Sequence, residues 1–151
     1  MGHRRRSCLV AAALVLTACR PRVNVASPGA SAAHSSERGA LAQVYYWKAR
    51  PGMVEQYNRY IAEIAEPIDA EAQRHGAFIN VTTYLTRDTL SPWTHMRVFI
   101  VRDSAQLLGL SAALNDAGTR LEPDSVRRRV RGDFAATLRD RVGGAVLEIV
   151  P

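Results

Sequence analysis

The chain has 151 residues, 47% of them hydrophobic, with 20 Lys/Arg against 14 Asp/Glu, a length that supports one ordinary domain. Both cysteines lie at or before position 19, so the remainder holds no disulfide, thiol nucleophile or cysteine-built metal site, and no His-x-x-x-His, Gly-x-Ser-x-Gly or phosphate-cradling glycine loop is present. Half of the net charge of +6 sits in Arg4, Arg5 and Arg6, which leaves nucleic-acid binding with little electrostatic support.

The basic cluster His3-Arg4-Arg5-Arg6 precedes an apolar run from Cys8 to Leu16. Nine residues are too few to cross a bilayer core, which takes about 20 in a helix, and the order of parts is that of an export signal. Leu16-Thr17-Ala18-Cys19 resembles the lipobox of bacterial lipoprotein signal peptides. The resemblance implies cleavage before Cys19, lipidation of its thiol and a membrane partner reached through that lipid. Arg20 stands where an Asp would imply inner-membrane retention, so the implied address is the cell envelope, on the periplasmic side of the outer membrane. Residues 1–18 are then signal, and the 133 that remain carry 17 basic and 14 acidic side chains, a net charge of +3.

Residues 19–39, rich in Pro, Ser, Ala and Gly, read as a flexible tether. A folded domain is expected over 40–151. Its first element is an aromatic strand over 41–50, stopped by Pro51-Gly52. Tyr57, Ile61, Ile64, Ile68 and Ala72 then recur at helical spacing, with Pro67 expected to kink or divide the helix and Gly76 to cap it. Alternating residues predict strands over 77–86 and 95–102, paired as a hairpin. Asp103 with Gln106 marks a helix start carrying Leu107, Leu110, Ala113 and Leu114. A further helix is expected to run through Val126, Val130, Phe134, Leu138 and Val142, broken by Gly143-Gly144, with Val146 to Val150 as the last strand.

The order β-α-β-β-α-α-β predicts an α+β, ferredoxin-like plait: a four-stranded antiparallel sheet with helices on one face. The opening strand–Pro51-Gly52–helix, with that order and length, resembles the dimeric α/β-barrel superfamily, which includes antibiotic-biosynthesis monooxygenase-like, EthD-like and NIPSNAP-like proteins. The resemblance implies a homodimer closed through the helix-free face, and, as one alternative, cofactor-free oxygenation or haem breakdown.

Alternation assigns Tyr45, Trp47, Ile79, Val81, Leu85, Met96, Val98, Ile100, Leu147 and Ile149 to the helix-covered face. The opposite set is Tyr46, Lys48, Asn80, Thr82, Tyr84, His95, Arg97, Phe99 and Glu148. Three readings of that polar and aromatic face stay open. It is a hydrogen-bonded dimer interface, with Arg97 paired to Glu148. Or it is a pocket for a small anionic or aromatic ligand formed by Tyr46, Lys48, Asn80, Tyr84, His95, Arg97 and Glu148. Or it is catalytic, with His95 as base. No cofactor and no metal are called for. Arg127-Arg128-Arg129-Val130-Arg131 reads as the solvated face of its helix.

Overall fold

The computed structural model describes residues 39–150; the lipobox, Cys19 and the tether up to Arg38 lie outside the described residues. Strand β1 spans Leu41–Ala49 and ends at the Pro51-Gly52 turn, where Gly52 takes a φ of 77°, a left-handed conformation that suits glycine. Helix α1 (Val54–Tyr60) runs through a π-helical segment, Ile61–Ala65, into α2 (Glu66–Arg74). Pro67 therefore does not divide the helix. It has no N–H to donate to the carbonyl of Glu63, and a wider π turn just before it lets the chain continue. Gly76, with a φ of 75°, follows the end of α2.

Strands β2 (Asn80–Leu85) and β3 (His95–Val101) form an antiparallel hairpin. Helix α3 (Ser104–Leu121) starts at Asp103, whose Oδ1 accepts from the Gln106 amide at 2.9 Å. Gln106 Oε1 in turn accepts from the Arg102 amide at 2.7 Å, closing the cap one residue earlier than a standard capping box. Helix α4 (Ser125–Leu138) is capped by Asp124 and leads without a loop into β4 (Arg139–Glu148). The sheet is four-stranded and antiparallel in the order β2-β3-β1-β4. The fold is α+β and ferredoxin-like. No described helix is long and apolar enough to cross a membrane.

All four helices pack on one sheet face. Phe99 and Val101 meet Ala72, Leu110 and Ala117 in one core cluster, with Leu41, Tyr45 and Val81 beside them. Ala49 meets Tyr57, Ile61 and Leu138 in a second, with Trp47 against it.

Two expectations fail here. The last helix stops at Leu138, and Gly143-Gly144 lies inside β4. These glycines are strand residues because β1 lies against them: a Cβ on Gly144 would stand 2.9 Å from the Val44 carbonyl oxygen, and one on Gly143 would stand 3.5 Å from Tyr46. The face assignment also inverts along β3 and β4. Tyr45 pairs with Arg97 and Trp47 with His95, so His95, Arg97 and Phe99 share the helix-covered face with Tyr45 and Trp47. Met96, Val98 and Ile100 point the other way, beside Tyr46 and Val44. Leu147 pairs with Ala42 on that open face, while Glu148 pairs with Leu41 on the covered side.

Candidate functional site

The inverted register places a row of arginines between the sheet and the helices. In β4 a bulge opposite Tyr46 and Trp47 leaves Val142 unpaired, with Gly143 opposite Tyr46 and Arg141 opposite Trp47. A bulge inserts one residue and reverses which side chains face which way beyond it. Above the bulge the covered positions of β4 are Gly144, Val146 and Glu148; below it they are Arg139 and Arg141. Without it Asp140 would point inward instead.

Each inward arginine lies against an aromatic ring. The Arg139 guanidinium carbon is 3.5 Å from the Trp47 ring centre, 5.1 Å from that of Tyr57 and 5.9 Å from that of Tyr60. Arg141 lies 4.8 Å from Tyr45, and Arg97 5.3 Å from Phe99. Such stacking stabilises a partly desolvated cation by about 0.5–2 kcal/mol. Tyr45, Trp47, Arg97, Phe99, Arg139 and Arg141, with Ser111, Leu114 and Asn115 of α3, line a half-open cavity of about 380 Å³ in which Arg141 stays exposed, a volume that suits a small ligand.

The charges in this cavity do not balance. Arg97 donates to Asp69 of α2 and to Thr83 Oγ1 at 3.2 Å. Burial raises the Asp69 carboxyl above its ordinary range even though Arg97 pulls it down. Among the described residues, Arg139 and Arg141 have no carboxylate within 4.0 Å. Arg139 Nε is moreover buried with no hydrogen-bond acceptor. An unsatisfied buried donor costs about 1–3 kcal/mol, and more on a charged group. The arrangement is therefore an electropositive, aromatic-walled space whose Arg139 and Arg141 charges have no carboxylate partner among the described residues.

The sequence-predicted site residues separate into two groups. Tyr46, Lys48, Asn80 and Tyr84 lie on the open face, where Lys48 Nζ donates to the Ser91 carbonyl at 2.5 Å and Asn80 bonds to Thr82 at 3.4 Å. His95 and Arg97 lie beneath the helices, and Glu148 is an exposed residue on the covered side of the edge strand. Arg97 takes Asp69, not Glu148, as its partner. Of this set only Arg97 lines the arginine cavity.

His95 is 1% exposed and packs edge-on against Tyr57 with ring centres 4.4 Å apart. Its Nδ1 is 2.8 Å from Thr94 Oγ1 and its Nε2 is 2.8 Å from Asn58 Oδ1. Burial first, and the Arg139 charge second, push its pKa down to about 4, so the ring is neutral at pH 7 with both nitrogens engaged. The same burial pushes the Tyr57 hydroxyl up to about 12, against the pull of Arg139. The other described histidine, His75, lies 3.1 Å from Glu71. Neither imidazole lines the arginine cavity, so neither is placed to act as a base or a haem ligand there.

Arg139, Arg141, Tyr45 and Trp47 escape sequence reasoning as ligand contacts. The one signal is Gly143-Gly144 after an Arg-x-Arg pair, since glycine inside a strand often marks a bulge. The helical spacing Phe134-Leu138-Val142 hides it.

The fold and cavity define a ferredoxin-like domain with an arginine-lined space between sheet and helices. The chain matches no protein-family profile, and no curated protein matches it in sequence. Among solved structures it is similar to HapK from Hahella chejuensis, at 8% identity and a TM-score of 0.50, over 73% of this chain and 92% of that one. It is also similar to a dimeric protein of unknown function and ferredoxin-like fold from Bacteroides fragilis (12% identity, TM-score 0.47, 74% of this chain and 97% of that one). An EthD-like protein from Ralstonia eutropha gives 16% identity and a TM-score of 0.47 over 76% of this chain and 95% of its own. At 8% identity the likeness to HapK shows a shared fold alone.

Proposed function

We propose that this chain is a small-ligand-binding protein of the cell envelope that takes an organic anion into the arginine-lined cavity. One observation carries the reading: Arg139, stacked on Trp47 at 3.5 Å, and Arg141 line the cavity with no carboxylate partner among the described residues. A carboxylate or phosphate group would supply the missing counter-charge, with the two guanidinium groups as donors and the aromatic rings as walls. Calorimetric titration with sodium benzoate tests it. Benzoate should bind, and Arg139→Met should weaken binding about tenfold or more, the size of a lost charge-assisted hydrogen bond. Equal binding by the variant would overturn the assignment.

Two further features belong to this reading. The open sheet face carries Tyr46, Met96, Val98, Ile100 and Leu147, with Leu147 half exposed, and apolar side chains left accessible on a sheet face call for a cover. A second copy, placed sheet to sheet, supplies it and gives a homodimer. Anchoring through lipid on Cys19 rests on the lipobox likeness; labelled palmitate should enter the protein, and Cys19→Ser should abolish the labelling.

A further inference from the structure

The arginine cavity adjoins a groove across the helical layer. It is bordered by Leu114 and Asn115, and those same two residues border a second space of about 390 Å³ lined by Tyr60, Ile64, Ile68 and Gly118. Tyr60, Ile64 and Arg131 in turn border a third space of about 490 Å³ that reaches Phe134 and is lined as well by Gln56, Arg59 and Glu63. The spaces thus follow one another from the arginines, along the π-helical segment that presents Ile64, to Phe134 on the outside of α4. π segments inside α-helices recur at functional sites.

Two glycines line the middle space, Gly118 within α3 and Gly132 within α4. A glycine in a helix interior costs about 0.5–1 kcal/mol relative to alanine, and packing does not account for either one. A Cβ on Gly132 would meet nothing within 4 Å, and one on Gly118 only the Ile68 Cδ1 at 3.8 Å. Both helices would be more stable with side chains there, and those side chains would fill the groove.

Resting on the anion-binding reading above, we infer that the ligand is a single-chain amphiphile: an anionic head held by Arg139 and Arg141, and an apolar tail laid along the groove kept open by Gly118 and Gly132. Arg139 and Arg141 sit at one end of the track, and Tyr60, Ile64, Ile68 and Phe134 supply an apolar wall along the rest, beside Arg59, Glu63, Arg128 and Arg131; an apolar wall leading away from paired arginines suits a fatty-acid-like carboxylate.

Titrations of the chain from residue 19 onward, carrying Cys19→Ser, with sodium butanoate, octanoate and dodecanoate below their micelle concentrations test this. Affinity should rise by up to roughly fourfold per methylene until the groove is filled. Gly118→Leu should hold the three affinities to within about threefold of one another while leaving butanoate unchanged. Gly132→Leu provides the same obstruction from the other helix should the first variant fold poorly. Gly109→Ala, in α3 but away from the groove, should leave the chain-length gain intact. Arg139-dependent binding of butanoate with no gain from length overturns the groove and leaves the anion site standing. A gain that survives both Gly118→Leu and Arg139→Met is non-specific apolar association and overturns the inference. No binding of any carboxylate overturns the anion site and the groove with it.

Discussion

His95 couples the packing of the interior to pH. Its folded-state pKa of about 4 lies below the ordinary 6.5 because burial and the Arg139 charge both disfavour the imidazolium. Between those values the unfolded chain holds a proton that the folded chain does not. The stabilisation from a neutral His95 is therefore complete above pH 6.5 and lost progressively as pH falls toward 4, by on the order of 3 kcal/mol. Glu71 acts in the same direction at lower pH, because its hydrogen bond from Arg120, with Arg74 and His75 nearby, holds its carboxyl below the ordinary range. Asp69 opposes both, since burial raises its pKa and acid relieves the cost of its charge. Urea unfolding followed from pH 7 to pH 4.5 should show a falling midpoint. His95→Gln, which keeps a hydrogen-bonding side chain between Thr94 and Asn58 but does not titrate, should flatten that fall; an unchanged slope would assign the acid sensitivity elsewhere.

At the scale of elements, β4 decides which residues become a site. Its bulge at Val142 turns Arg139 and Arg141 inward, and the adjacent glycines let β1 approach. Gly144→Ala would place a Cβ 2.9 Å from the Val44 carbonyl and 3.2 Å from Arg141 Nη2. Backbone on one side and the binding arginine on the other leave it little room. We expect a loss of about 1–3 kcal/mol, read as a lower Tm, together with weaker benzoate binding. Full stability with normal binding would show that β4 tolerates the shift. The cap of α3 was readable from its residues, Asp103 accepting from the Gln106 amide as its type and position suggest; the matching cap of α4 by Asp124 appears only in the structure. The end of the last helix was not readable either. Phe134, Leu138 and Val142 satisfy a helical period, yet Leu138 is buried against Ala49 and Tyr57 while Val142 is 47% exposed at the bulge. The pattern in Val126, Val130 and Phe134 misleads in the same way. All three are at least half exposed, and α4 buries Ala135 and Leu138 instead, because Arg128 and Arg131 turn toward Glu122 and its carbonyl.

For the whole molecule, the consequence is a sheet that carries His95, Arg97 and Arg139 among the apolar residues of its helix-covered face and Met96, Val98, Ile100 and Leu147 on the opposite face. A homodimer through that face predicts that the chain sediments as two copies. Ile100→Asp should yield a folded monomer, because the new charge would be buried only in the assembly. A wild-type monomer at micromolar concentration would leave the face uncovered and refute the arrangement.

Local chemistry was enough to determine the number, order and kind of elements, the Pro51-Gly52 stop, the helix start at Asp103, and the antiparallel α+β plait, because periodicity and capping act over a few residues. Only the tertiary structure decided which face of β3 and β4 meets the helices. In a strand of period 2, one residue of register or one bulge exchanges the faces, and His-Met-Arg-Val-Phe-Ile-Val offers an apolar set on either side. That choice is settled by Phe99 and Val101, which fill the space against Leu110 and Ala117 and carry His95 and Arg97 inward with them. The arginine cavity follows from that packing and from a bulge whose partner strand lies nearly 100 residues earlier in the chain, a separation that no local pattern encodes.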